Sequence, residues 1–573
     1  MLRLFKVLLP LRARMRRSSA FHYGVLMLAV IALWCTVYGR MLGTERFRVP
    51  VEYQGDALFV MGAMQGFSEF PAPWNLHVGR LNAPFGADWN DYPHSEKLLY
   101  YLGGTLARLF DPAVAANLFL LLGFAFNAVG FFWAARRLGS PPLRAFAGSL
   151  LYAFSTYMLF RGAPHVLLVY AGHLPILFYL CRWFQRGRLD RRRARVWASL
   201  YVVASAVLNP YYFVFVLLML TLSAVRLLVN RRMRDAAVPG TLVALGILAF
   251  VANQSNVMLY SWRHGASTII RPRLLVEHLR WGLRLPDLLM PLEHPLKAWS
   301  VFAQKNYWEP VLVSENLSAF LGLVGCIGLL ALVAVSFARG MRREPMRVPS
   351  EAWIALSAYL FGAVGGGTLL MGALGVSWLR AGNRYSIVIL SAVLLWGGRA
   401  FRVRRWPWFG SVLCAALVAF TIYESRMAWW PKDRRIAMTE LVQADRAFAR
   451  ELEGQLPRGA AVFQLPIMGF PESDKIVAML DYEPFRPYLW SKNLRFSYGT
   501  HRGRPRERWQ SVCARKKVPD MLAELIERDF HAVLIHRAGY SDRGRTLETA
   551  LVAAGLGKVA GTSDSDMVAY RIH

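Results

Sequence analysis

Acidic side chains and cysteines are the scarce residues of this chain. Its 573 residues carry 36 Asp and Glu against 68 Lys and Arg, and charged residues of either sign make up only 18%, too few to coat a soluble globule. Four of the five cysteines, at positions 35, 181, 326 and 414, sit inside apolar segments. Only Cys513 falls in polar sequence, so neither a disulfide framework nor a thiolate metal site is expected.

What fills the space instead is hydrocarbon. Apolar residues reach 55% and arrive in blocks long enough to cross a core of about 30 Å. The first block follows a basic flank but runs on without a small-residue cleavage site, and so reads as a retained span. The expected fold is a polytopic α-helical membrane protein of about eleven spans, near 22–41, 113–135, 144–160, 165–181, 196–208, 210–229, 236–254, 315–338, 351–374, 384–398 and 407–425. Under this count every short arginine-rich connection falls on one side, as the positive-inside rule requires, and the basic excess needs no nucleic acid to explain it. The N-terminus is then cytoplasmic, in a bacterial inner membrane.

The predicted organisation is a transmembrane domain over 1–429, with large outer loops at 43–112 and 255–313, followed by a periplasmic or extracellular α/β domain over 430–573. Ala460 to Ile467, Asp529 to His536 and Met567 to Ile572 read as strands, with helices between them. Asp481 to Arg508 is aromatic, basic and irregular, suited to lying over a substrate or the membrane surface.

Acid concentrates in one place. The first outer loop holds Glu52, Asp56, Asp88, Asp91 and Glu96, together with His94. A carboxylate at Asp56, just outside the first span, can serve as general base for an attacking hydroxyl; its structural alternative is to cap a helix beginning at Ala57. The eight-residue spacing of His165 and His173 predicts a shared helical face, at a depth where polar groups line cavities or find partners. Asn209-Pro210-Tyr211 breaks a long apolar block, either into two spans or into a single kinked or re-entrant element. Basic residues in the second outer region, Arg263, Arg271, Arg273, Arg280, Arg284 and Lys297, run against the topology bias and suit phosphate recognition, as does Arg384. Gly365-Gly366-Gly367, expected inside an apolar helix, permits close helix packing.

Gly55-Asp56, Asn82-Ala83-Pro84-Phe85-Gly86, Leu285-Pro286-Asp287-Leu288-Leu289-Met290-Pro291 with His294, Glu315 with Phe320 to Leu323, and Gln464-Leu465-Pro466-Ile467 occur in an order that resembles the integral-membrane glycosyltransferases with the GT-C fold, near the YfhO-like bacterial branch. That resemblance implies transfer of a sugar from a polyprenyl-phosphate donor to an extracytoplasmic glycan or lipid-linked acceptor, by inverting attack. It assigns Asp56 the base, with Glu52, Asp88, Asp91 or Glu96 assisting, and arginines of 255–313 and Arg384 the donor phosphate. His94, Glu96, His165, His173 and Tyr211 are the expected sugar or acceptor contacts. A divalent cation, magnesium or manganese, is left open, since some members of the fold need one and others do not. The alternative is a transporter or flippase of lipid-linked sugars.

Overall fold

The computed structural model describes residues 19–39, 47–70, 75–92, 94–186, 192–265, 273–309, 314–342, 348–401, 407–424 and 432–572. The basic N-terminal flank and Arg271 lie outside them. Helix predominates through 424, and a sheet follows.

Among the described residues, six stretches are long and apolar enough to span a membrane, not eleven: Ala20–Tyr38, Pro112–Leu138, Val166–Arg186, Pro210–Val229, Met233–His264 and Gly322–Met341. The other five expected spans do contain helix, but they are short or broken. The 144–160 block divides into Pro142–Ala153 and Thr156–Arg161, and the 351–374 block into Ser350–Gly362 and Gly367–Ala373. The glycine run therefore lies in a break between two helices, Gly367 starting the second, with Gly365 at φ +77°, which a residue with a Cβ rarely adopts. Ser386–Ala400 is only 15 residues long.

The helices that frame the site are α1 (Ser19–Tyr38), α2 (Gly55–Glu69), α3 (Lys97–Leu109), α4 (Pro112–Leu138), α5 (Pro210–Val229), α6 (Met233–His264), α7 (Gly322–Met341) and α8 (Lys432–Gln455). Asp111 caps α4 by accepting from the Ala113 amide at 3.0 Å, with Pro112 in the first turn where its missing N–H costs nothing. Asn209 caps α5 in the same manner, again ahead of a proline. Small residues let backbones meet: a Cβ on Gly130 would lie 1.9 Å from the carbonyl oxygen of Gly172.

A short antiparallel pair, β1 (His77–Val78) and β2 (Ala87–Asp88), lies in the first outer loop. The tail folds into a five-stranded sheet from β3 (Ala461–Leu465), β4 (Arg495–Phe496), β5 (Phe530–His536), β6 (Gly557–Ala560) and β7 (Met567–Arg571), in the order β4-β3-β5-β7-β6. β3 runs parallel to β4 and β5; β7 runs antiparallel to β5 and β6. Alternate residues of its strands enter two different cores. Val462, Leu534 and Ala569 pack with Tyr53, Leu58, Phe67 and Trp89 of the first outer loop. Phe463, Val533, Ile535 and Val568 pack with Leu525 and Leu551 from the tail's own helices. One face of the sheet is thus completed by a segment some 400 residues earlier in the sequence.

Polar bonds fix this docking. Asn82 donates its amide N–H to Tyr498 and its side-chain amide to Gly86, so the Asn-Ala-Pro-Phe-Gly run is a brace against the tail. Asp445, buried on α8, takes two bonds from Arg486 at 2.7 and 2.6 Å and one from the Tyr53 hydroxyl at 2.8 Å. The Leu-Pro-Asp-Leu run is likewise structural: Asp287 is buried and accepts from the Arg284 amide, the Tyr307 hydroxyl and Asn316.

Candidate functional site

Where α5 begins and α6 nears its end, a cavity of about 540 Å³ opens between the helical bundle and the tail. Asp56, His165, Glu96, Tyr211, Arg273 and Arg384 all line it. Its roof comes from Glu472, Asp481 and Tyr482 of the tail.

Asp56 sits in the first turn of α2, but Gln54 occupies the capping position and no side chain caps the helix. The carboxylate is therefore not spent on a cap. Its side chain is 50% exposed, and its Oδ2 lies 3.3 Å from Nδ1 of His165.

Arg384 enters from the turn Gly382–Tyr385, which a close glycine contact positions: a Cβ on Gly382 would lie 1.9 Å from the carbonyl oxygen of Gly362. Its guanidinium stacks 4.2 Å over the Tyr211 ring and reaches Glu315 at 3.5 Å, while its Nε is buried with no hydrogen-bond partner. Glu315 also binds Arg161, which donates to Asn383 at 2.9 Å. Burial works to push the Glu315 carboxyl up, but Arg161 and Arg384 outweigh it and hold the group well below the usual carboxylate range. Arg384 is thereby fixed in place.

The remaining charges are sorted in a similar way. Arg273 pairs with Glu472, and Arg380, which the sequence did not single out, pairs with Glu277 at 2.6 Å. Burial pushes the Glu96 carboxyl up to about 7, and the Asp481 carboxyl up to about 6 with help from the nearby charge of Asp56. Both would exchange a proton near neutral pH.

Other expected site residues lie elsewhere. Asp88 accepts from the Asn90 amide and so holds the short turn Trp89–Asp91. Asp91 is buried and bound bidentately by Arg504. Glu52 is buried beside a separate small void against α4. His94 is packed among Phe59, Phe67, Trp89 and Tyr100, where burial lowers its pKa to about 3. His173 does not share a helical face with His165, because the helix is interrupted between Val169 and Leu174; it is buried against Phe126, Tyr201 and Tyr212. Of the second outer region, Arg263, Arg280 and Lys297 are exposed and do not line the cavity, and Arg284 donates to the Leu279 carbonyl. Among the described residues no group of three or more His, Cys, Asp or Glu forms a cation site.

The missed residues, Arg380, Glu472, Asp481 and Tyr482, share one cause. Each reaches the cavity only through tertiary contacts. The single hint was the irregular aromatic segment from 481 onward.

The chain matches no protein-family profile and no curated protein sequence. Among solved structures it is similar to the arabinofuranosyltransferase AftD from Mycobacteria, at 14% identity and TM-score 0.45, over 90% of this chain but 39% of that one. ArnT from Cupriavidus metallidurans in the apo state aligns at 14% identity and TM-score 0.43, over 97% and 99% of the two chains. The archaeal oligosaccharyltransferase AglB from Archaeoglobus fulgidus, in complex with an inhibitory peptide and a dolichol-phosphate, aligns at 10% identity and TM-score 0.42, over 90% and 70%. Likeness this faint carries no argument about the site, whose chemistry rests on the chain's own residues.

Proposed function

We propose that this chain is a membrane glycosyltransferase that moves a sugar from a polyprenyl-phosphate carrier to a hydroxyl acceptor on the extracytoplasmic side. Its placement near the YfhO-like branch belongs to the same proposal and rests on the sequence motifs. The observation that carries the reading is one cavity bordered both by a half-exposed carboxylate that caps no helix and by an arginine fixed by an ion pair and a ring contact.

In this reading the acceptor oxygen attacks the anomeric carbon as Asp56 takes its proton, while the bond from that carbon to the phosphate oxygen breaks. The electron pair leaves with the phosphate, and the configuration inverts. His165, at 3.3 Å from Asp56, orients the carboxylate. Arg384 and Arg273, both on the cavity wall, neutralise in this reading the negative charge that grows on the departing phosphate, and Glu315 holds Arg384 in place before the donor arrives. Glu96 and Asp481 are candidates to bond sugar hydroxyls, each able to donate or accept near neutral pH.

The test is sugar release or transfer from a panel of polyprenyl-phosphate sugars by purified protein, with and without chelator. Asp56→Asn, which keeps size and removes basicity, should lower turnover by about 100-fold or more while leaving the melting temperature unchanged. Turnover that survives the substitution would remove Asp56 from the chemistry. Carrier binding without turnover in either protein, across broad donors and acceptors, would favour transport or flipping instead.

A further inference from the structure

A second and larger crevice, of about 920 Å³, lies where the first outer loop, the start of α4 and α8 meet. Five cations line it, Arg48, Arg108, Arg446, Arg450 and Lys492, against one carboxylate, Asp111. That carboxylate is already engaged, by Arg446 at 2.8 Å and by the Ala113 amide at 3.0 Å. The positive charge of the crevice is thus largely uncompensated. Arg446 is also held from beneath, its guanidinium 4.1 Å over the Trp490 ring and bonded to the Arg48 carbonyl, while its Nε is buried without a partner.

The depth of this crevice follows from its walls. Pro112 is the first residue of the spanning helix α4, so the crevice begins where the chain enters hydrocarbon. Leu109 and Phe110, on its edge, are 69% and 45% exposed. They continue the outward face of α3, where Leu98 and Leu102 are also exposed at a spacing of four, while Leu99, Tyr100, Gly103 and Gly104 face inward. An outward apolar face ending in a ring of arginines places acyl chains below and phosphate above.

We propose that this crevice binds the phosphate headgroup of an anionic membrane lipid of the outer leaflet, at a site separate from the Asp56 cavity. Arg446 supplies the fixed, aromatic-backed donor, and Arg48, Arg450 and Lys492 supply adjustable charge. α2 forms part of both walls, Asp56 at its start facing the cavity and Gln65 nine residues on facing the crevice. That separation is about 14 Å along the helix. A lipid so bound seats the tail, through α8 and Trp490, against the bilayer and the bundle together. The proposal does not depend on the transfer reaction.

The experiment is native mass spectrometry of the full chain in neutral detergent. The probes are dioctanoyl phosphatidylglycerol, dioctanoyl phosphatidylcholine and inorganic pyrophosphate. Wild-type protein should retain phosphatidylglycerol in preference to phosphatidylcholine, and less of it as salt rises. The variant Arg48→Gln/Arg450→Gln/Lys492→Gln changes only exposed cations and should bind phosphatidylglycerol about tenfold more weakly. Arg446→Lys, which keeps charge and loses the fork, should weaken it as well. Equal retention of the two lipids, or unchanged phosphatidylglycerol binding in the triple variant, overturns the proposal. Tighter binding of pyrophosphate than of the lipid overturns it too, by making the crevice a site for a soluble phosphate.

Discussion

Glu96 shows how a single side chain couples the cavity to pH. Burial raises its carboxyl from about 4.5 to about 7, against a smaller opposing pull from Arg384. As pH climbs from about 4.5 to about 7, the unfolded chain gives up this proton before the folded chain does, so the folded state loses stability across that window and stays lower above it. Glu96→Gln abolishes the penalty. Its melting temperature should match wild type at pH 4.5 and exceed it by about 2 °C at pH 8. An identical difference at both pH values would mean that the carboxyl is not held in its neutral form by burial. Part of this scale was legible in the sequence: Asp56, His165, Arg273, Arg384 and Glu96 were singled out by residue type, and all line one cavity. Asp91 was not legible, because its partner Arg504 lies more than 400 positions away and turns an apparent catalytic acid into half of a buried pair.

Elements were easier to foresee by kind than by length. Each expected strand of the tail formed, at β3, β5 and β7, because β-branched and aromatic runs bounded by turns have few alternatives. Two short strands, β4 and β6, were missed; β4 pairs over only two residues and carries no periodicity to detect. Spans failed for a related reason. Hydropathy adds up apolar residues, but it does not register that Phe154–Ser155 or Ala363–Gly366 interrupts the hydrogen-bond ladder. The docking of α8 against the first outer loop was invisible, though it rests on identifiable atoms. Asp445→Asn would leave the buried Arg486 guanidinium without its bidentate partner, at a cost of about 3–5 kcal/mol. Hydrogen exchange should then rise in α8 and around Tyr53 together, with the bundle helix α5 unaffected. Protection lost in α8 alone would show that the outer loop does not depend on this pair.

At the scale of the whole molecule, the cavity belongs to no single segment. Asp56 comes from α2, Asn209 and Arg384 from turns at one end of the bundle, and Asp481 from the tail. The opposite end is marked by Arg182, Arg186, Arg339 and Arg399 around another crevice, with Arg399 about 22 Å down the helix from the Arg384 turn. In the proposed orientation this second group of arginines marks the cytoplasmic end. The sequence indicated which connections share a side, through charge. It did not indicate that the outer loop and the tail would build one body, since no local pattern records a core assembled from both.

Under the proposed transfer reaction, the fixing of Arg384 by Glu315 and Tyr211 has a consequence for turnover. A loaded carrier is a phosphodiester with one negative charge; the spent carrier is a monoester with about 1.5 to 2. The Arg384 guanidinium, paired with Glu315 and stacked on Tyr211, is held in place as that charge increases. On the proposed reading it grips the product more firmly than the substrate, and product escape, rather than bond exchange, sets the steady pace. Rapid mixing should give a first burst of transferred sugar stoichiometric with protein, followed by a slower phase, and added spent carrier should compete with loaded carrier. A linear time course from the first turnover would place the slow step in the chemistry.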